Sequence, residues 1–417
     1  MSAAAYPIRD DFPALSHDLD GQRIVYLDNA ATTLKPKAVI DAISHHYSTN
    51  GANIHRGKHR LSEEASDAYE GSRVTVADHL GARASELVFV RNTTEALNVV
   101  AHGLQLERDD IVLGCLDAHH SQILPWRRAA SLRVARVGRD GRVDLDHFRE
   151  SLKARPRVVA LTHCSNVTGV VHPVAEMIRE VRDSCDALVV VDAAQSLPHE
   201  QIDVVELGAD FVAFSPHKML GPSGVGCLYG RAAQLEKLVP LVVGGGMVDW
   251  VDASDHVERR VPHRLEAGTP PIASVIGTAA AIRYLGGLDR ATRVSLDHEL
   301  TQALVEGALA RPYLRLIGPA DIVDRHPIAT LALAGKASAG EVARLLSDSY
   351  GIMCRSGHLC AQPLVTQVAE GEVLRASAYL YNSAAEVERF YEALDELASW
   401  MGFGGLAAAP LEAAGAR

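Results

Sequence analysis

The stretch ALVVVDAAQSLPHEQIDVVELGADFVAFSPHK, residues 187–218, sets two short apolar runs, ALVVVDA and DFVAFS, on either side of a longer connecting segment. Neither run alternates apolar with polar residues. That is the pattern of a strand covered on both faces, as in a parallel sheet flanked by helices. The first run ends near Asp192 and the second leads to Lys218, 218 − 192 = 26 residues later, a separation that fits one strand-helix-strand step. A carboxylate and an amine are thereby brought to the carboxyl ends of neighbouring strands, where open α/β sheets bind their ligands.

Working outward, RIVYLD (23–28), ELVFVR (86–91), DIVLGCL (110–116), LRVARV (132–137) and RVVALTH (157–163) read as strands of the same kind. TTEALNVVAHGL (93–104), SQILPWRRAASL (121–132) and VAEMIREVRDS (174–184) read as helices between them. The alternation predicts an α/β domain with a mainly parallel sheet. After Leu288 the rhythm changes to a long helix, RATRVSLDHELTQALVEGALA, then a looser α+β order that ends in the amphipathic SAAEVERFYEALDELASWMG. The expected organisation is a large domain over 19–288, a small domain built from 1–18 and 289–403, and a low-complexity tail over 404–417.

At roughly 100–200 residues per domain, a chain of 417 residues accommodates this division. A net charge of −11 with no basic stretch argues against nucleic acid or an anionic membrane as partner. The first residues, MSAAAYPIRDDFPALSHDLDG, lack the basic and apolar regions of a leader, and no apolar run approaches the roughly 20 residues needed to span a bilayer. A cytoplasmic protein is expected. The six cysteines form no CxxC pair, so neither a disulfide framework nor a zinc ribbon is indicated. Cys115, Cys164 and Cys227 lie in or beside apolar strands and read as core thiols. Cys360 differs, for RSGHLCAQP (355–363) has no periodicity and reads as a loop.

The polar groups gather at strand ends. Thr93 and Thr94 open a predicted helix, where backbone N–H groups and hydroxyls can hold an anion, although a lone hydroxyl there is more often a simple N-cap. Asp192 with Lys218 suits pyridoxal 5'-phosphate, since the lysine can form a Schiff base with the aldehyde and the carboxylate can keep the pyridine nitrogen protonated. A lysine is ordinarily a solvated surface residue; this one falls at an expected site mouth. His55 and His59 in HRGKH stand four apart, as in zinc helices, but Gly57 lies between them and no third ligand is near. Cys354, His358 and Cys360 likewise lack a fourth ligand, and no metal is expected. GPSGVG (221–226) departs from GxGxxG and precedes a strand, so it reads as a backbone turn.

YLDNAATT, HRGKH, NTTEALN, AHHSQILPW, SNVTG, VVDAAQS, FSPHKMLGPSGVGCLYG, RLEAGTPP, RSGHLCAQP and LRASAYLYN, in this order, resemble the class V aminotransferase family over roughly Phe12 to Gly402. Within it they look most like the type II (SufS-like) cysteine desulfurases and selenocysteine lyases. The resemblance implies the fold type I architecture of pyridoxal phosphate enzymes, with a mainly parallel seven-stranded sheet, and a homodimer. It implies Lys218 as the cofactor lysine, Asp192 at the pyridine nitrogen, Gln195 at the phenolic oxygen and His119 stacked on the ring. Thr93, Thr94, Ser215 and His217 would hold the phosphate, with Thr269 supplied by the other subunit. Asn166 and Arg375 would take the substrate carboxylate, and His55 would lie close to the substrate.

The expected reaction is conversion of L-cysteine to L-alanine, with Cys360 taking the sulfur as a persulfide for an acceptor protein or a reductant. Selenocysteine is a further possible substrate. Arg355 and His358 would favour the thiolate of Cys360, and mobility is expected of the loop that delivers it. Two positions depart from the usual motifs: Leu359 makes GHLCA of GHHCA, and Pro216 stands where SGHK has glycine. A carbon-sulfur β-lyase on a larger cysteine conjugate is the alternative, needing Lys218 and Asp192 but not Cys360, with Leu359 and Trp250 shaping a wider mouth. A non-catalytic sulfur carrier is a third reading, opposed by the intact lysine, aspartate and anion site.

Overall fold

The computed structural model describes residues 8–403 apart from 20, 336, 337 and 370. The large sheet has seven strands: β1 (Leu87–Val90), β2 (Ile111–Cys115), β3 (Ser131–Ala135), β4 (Val158–Thr162), β5 (Leu188–Asp192), β6 (Phe211–Phe214) and β7 (Gly226–Gly230). Their order is β1-β7-β6-β5-β4-β2-β3, and only β7 runs antiparallel to its neighbours. The absence of alternation in the sequence has a direct cause here, since every residue of β4 is buried. Leu113, Val159, Leu161, Val189, Val191, Val212 and Phe214 pack on one face with Tyr69 and Val275 from flanking helices. Val88, Val112, Ala160, Val190, Phe211 and Ala213 pack on the other with Leu97, Val100 and Trp126.

The chain steps outward from β2 to β3 and then returns through β4, β5 and β6, so strand order reverses between β2 and β4. Such a switch point leaves a crevice at the carboxyl edge of the sheet. A second sheet, antiparallel, has four strands, β8 (Leu314–Ile317), β9 (Ile328–Leu333), β10 (Arg355–Gly357) and β11 (Val373–Ser377), in the order β8-β9-β11-β10. It packs its own core of Leu300, Leu304, Leu331, Leu346, Phe390 and Leu394 against the helices Arg290–Leu309, Ala339–Tyr350 and Ala384–Met401.

Two expectations need correction. RIVYLD does not enter the large sheet: Val25–Tyr26 pairs in parallel with Ile352–Met353, and Val25 and Leu27 join the second core. The seventh place in the large sheet goes to β7. Ile8, Phe12 and Leu15, from the 1–18 segment, pack in the cluster beneath the large sheet, and the Phe12 ring lies 4.5 Å from that of Tyr381 in the 289–403 segment. SQILPWRRAASL breaks into a 3-10 turn, a short helix at Leu124–Ala129 and the start of β3. Residues 1–7 and the 404–417 tail lie outside the described residues. Among the described residues, no helix is long and apolar enough to cross a membrane.

Candidate active site

The carboxyl ends of the strands open into a cavity of about 600 Å³, and twelve of the fourteen expected site residues line it, all but His55 and Thr269. Register explains the centre. Thr162 at the end of β4 sits beside Asp192 at the end of β5, and Asp192 beside Ala213 of β6. Beyond β6 the chain passes Ser215 into a 3-10 turn, Pro216–Lys218, that presents Lys218.

Asp192 is buried, and Lys218 is half-buried with its amine deep in the protein. Burial pulls the Lys218 ammonium down to about 8 despite the opposing pull of Asp192, so near physiological pH a minority of the amine is neutral, far more than for an ordinary lysine. Burial pushes the Asp192 carboxyl up, countered by the Ala194 N–H that its Oδ1 accepts at 3.0 Å and by Lys218. Burial and the charge of Lys218 hold His119 and His217 at about 4, so both imidazoles are neutral.

The helix Thr93–Gly103 begins at the cavity, capped by Asn92, whose side chain accepts the Glu95 N–H at 2.9 Å. The Ser215 hydroxyl lies 2.8 Å from the Thr93 nitrogen and 2.6 Å from its hydroxyl, and Thr94 pairs with Ser121 at 2.7 Å. Gly226 at the start of β7 permits this placement, because a Cβ there would stand 2.4 Å from the Asn92 Cα. On the opposite side the His217 carbonyl accepts from the Thr33 N–H at 3.0 Å, the Thr32 hydroxyl at 2.9 Å and the Lys35 ammonium at 3.0 Å. These donors tie the N-terminal segment to the peptide that carries Lys218.

The antiparallel sheet supplies the other wall. Strand pairing sets Arg355 directly across from Arg375. Two guanidinium groups side by side repel, and Asp28 separates them, accepting from Arg355 at 2.9 Å and from Arg375 at 3.3 Å. Arg375 is buried, which lowers it to about 10, and its Nε faces the interior without a partner. Its Nη1 donates to the Asn166 carbonyl at 2.9 Å. The Asn166 amide donates to the Leu359 carbonyl at 2.8 Å, and the Gln195 amide to Ala30 at 2.7 Å, so both are engaged within the protein.

Cys360 is the exposed one of the six cysteines. Cys115, Cys164 and Cys227 are buried, and burial raises their thiols well above the ordinary value. The Cys360 loop makes contacts on both sides of the cysteine. Leu359 is 7% exposed and packs with Val167, Ile317, Val365 and Val373, while the His120 N–H donates to the Cys360 carbonyl at 2.7 Å.

His55 and Thr269 do not reach this cavity within one chain. They share a separate pocket of about 250 Å³, where His55 Nε2 lies 2.8 Å from Glu70. His120 and Ser121, which line the cavity, and Asp28 and Lys35, which contact residues that line it, are positions that the reading of the sequence did not single out. Asp28 ends the run RIVYLD and carried the same strand-end signal as Asp192. Lys35 and His120 act through contacts between distant loops, for which no local pattern exists. Among the described residues two groups of imidazole and carboxylate could hold a cation, His55 with Glu70 and His263, and His199 with Asp297 and His326. Neither lines the cavity.

The donor set fits pyridoxal phosphate. It offers a buried amine, a buried carboxylate one strand away, a neutral imidazole, and a helix N-terminus ringed with hydroxyls.

The sequence model described as Aminotransferase class-V matches residues 25–390. A probable cysteine desulfurase of Streptomyces coelicolor is 39% identical over 410 residues, covering 95% of this chain and 97% of the relative. One from Synechocystis sp. is 39% identical, covering 94% and 96%. Among solved structures, the apo cysteine desulfurase of Thermococcus onnurineus NA1 superposes with a TM-score of 0.89 at 36% identity, covering 96% of this chain and all of that one. The cysteine desulfurase CsdA of Escherichia coli gives 0.85 at 34% identity, covering 94% and 98%.

Proposed function

The chain belongs to the class V aminotransferase family, and from that footing we propose that it is a pyridoxal phosphate-dependent cysteine desulfurase, converting L-cysteine to L-alanine. The observation that carries the reading is that the exposed thiol, Cys360, lines the same cavity as Lys218 and the buried Asp192. When bound, pyridoxal phosphate supplies an electron sink for charge developed on the amino acid. Lys218 would carry it, Asp192 and Gln195 would face its ring, His119 would stack on it, and Thr93, Thr94, Ser215 and His217 would surround its phosphate.

Arg375 and Asn166 bind the substrate carboxylate, a task suited to a fixed guanidinium fork. Lys218, with its amine pulled toward neutrality, takes and returns the α-proton. The Cys360 thiolate attacks the substrate sulfur, a sulfur-sulfur bond forms, and the carbon-sulfur bond breaks with its electron pair left on the β-carbon. Protonation there completes alanine, and the persulfide on Cys360 passes to an acceptor protein or a reductant. Arg355 and Arg375, with one Asp28 carboxylate between them, leave net positive charge near the thiolate.

A homodimer completes the site. Its support is the shared pocket of His55 and Thr269, away from their own cavity, together with the exposed apolar side chains of Val243, Trp250, Val251 and Val257. Across such a dimer Thr269 would meet the partner's cofactor and His55 the partner's substrate. Six unpaired cysteines suit a reducing compartment, which supports a cytoplasmic setting. The β-lyase reading leaned on Trp250 and Leu359. Trp250 stands on an exposed hairpin and does not line the cavity of its own chain, whereas Leu359 lines the cavity but is largely packed into a core.

Purified protein loaded with pyridoxal phosphate, given L-cysteine and a thiol reductant, should yield alanine and sulfide in equal amounts. Cys360→Ser should abolish both while the visible absorbance of the bound cofactor stays. Pyruvate and ammonia in place of alanine, or alanine formation surviving the substitution, would overturn the proposal.

A further inference from the structure

Leu359 and Cys360 are consecutive non-glycine residues with φ of 54° and 55°. A left-handed pair of this kind persists only where its surroundings over-determine it. On the Leu359 side the constraint comes from the apolar cluster and from the Asn166 amide. On the Cys360 side Ala361, Leu364 and Val365 join the same cluster, and the polar contacts that cross to another loop come from His120. The His120 backbone N–H donates to the Cys360 carbonyl at 2.7 Å, and the His120 Nε2 accepts the Gln362 N–H at 3.2 Å. Between those two points the Ala361 N–H closes a turn onto the His358 carbonyl at 2.9 Å. His120 therefore brackets the cysteine, one contact on its carbonyl and one just beyond it, from the loop that follows β2.

On the reading that Cys360 takes the substrate sulfur, we propose that His120 is a positioning residue for this nucleophile. It fixes the backbone on the carboxyl side of Cys360 so that the thiol faces the cavity rather than swinging with a free loop. The ring must accept a hydrogen bond at Nε2, so it works as a neutral imidazole with its proton on Nδ1. Its neighbour in sequence, His119, serves the cofactor side of the same cavity, so one 3-10 turn would set both the ring and the thiol.

The test compares His120→Ala, His120→Asn and His120→Gln in the pyridoxal phosphate-loaded protein. The Oε1 of glutamine falls where the Nε2 stood and can accept the Gln362 N–H, whereas the shorter asparagine reaches only the Nδ1 position. Loss of one orienting hydrogen bond predicts about a tenfold fall in kcat for alanine formation in the alanine and asparagine variants, with glutamine recovering to within about threefold. KM for L-cysteine and the cofactor absorbance should stay at wild-type values, and the rate of Cys360 alkylation by iodoacetamide should change in step with kcat. An unchanged kcat in His120→Ala, a glutamine variant that fails to recover, or a parallel loss of cofactor absorbance each overturns the role. Cys360→Ser measured alongside separates the two claims. Alanine formation surviving in that variant refutes the desulfurase reading, whereas its loss beside an unaffected His120→Ala refutes the positioning role alone.

Discussion

Leu359→Ala tests whether the departure from the usual GHHCA motif is an anchor for the nucleophile or a feature of substrate choice. The side chain is 7% exposed and packs among Val167, Ile317, Val365 and Val373 while also lining the cavity, so most of its contact is with a core. Holding two non-glycine residues in the left-handed region costs about 1–3 kcal/mol each. Truncating a buried leucine to alanine removes about 3 kcal/mol, which is comparable to that strain. Were the whole loss to fall on the loop, the fraction of protein with Cys360 in place would drop by roughly 100-fold, at 1.4 kcal/mol for each factor of ten. The Asn166 and His120 contacts retain part of the constraint, so kcat for alanine formation should fall between about 10- and 100-fold. Leu359→Met keeps the volume and should cost little. Steady-state alanine production, with cofactor absorbance as the control for site integrity, reads the effect. A Leu359→Ala protein that turns over cysteine at the wild-type rate would show that the apolar cluster does not hold the loop. One that turned over bulkier cysteine conjugates faster would return Leu359 to substrate choice.

Cofactor capture should report the buried amine of Lys218. Only the neutral amine attacks an aldehyde, so in protein stripped of cofactor the rate of pyridoxal phosphate uptake should climb with pH and level off near the Lys218 value of about 8, well below an ordinary lysine. Asp192→Asn removes the charge that favours the ammonium and should move the inflection lower; an inflection near that of a free lysine would contradict the burial. Gly226→Ala drives a Cβ into the Asn92 backbone, which has no flexible side chain to yield, and should weaken pyridoxal phosphate binding by at least about tenfold through displacement of Thr93 and Thr94. Gly71→Ala meets nothing within 4 Å and serves as the neutral control, so equal cofactor titrations for the two variants would defeat the argument.

The same strand-end logic that located Asp192 and Lys218 explains what the sequence concealed. A run such as VVALT at 158–162 is legible because burial on both faces writes itself into unbroken apolar composition. RIVYLD has the same composition, yet its ladder partner, Ile352–Met353, lies more than three hundred residues away, and nothing local says which sheet a strand will join. Composition thus reports how much a strand is covered and not by what. The site divides along the same line. Asp192 and Lys218 take their places from the order of one sheet. Asp28, equally a strand end, takes its place only because β10 and β11 set two arginines opposite one another and leave a charge that a carboxylate must separate. His55 and Thr269 show the third degree of concealment. Their resemblance to family motifs implies a site role, but a single folded chain keeps them in another pocket, so the proposed pairing of two copies would be needed to bring them to a cavity. On that proposal the dimer, rather than the chain, is the unit on which substitutions at either residue are to be judged.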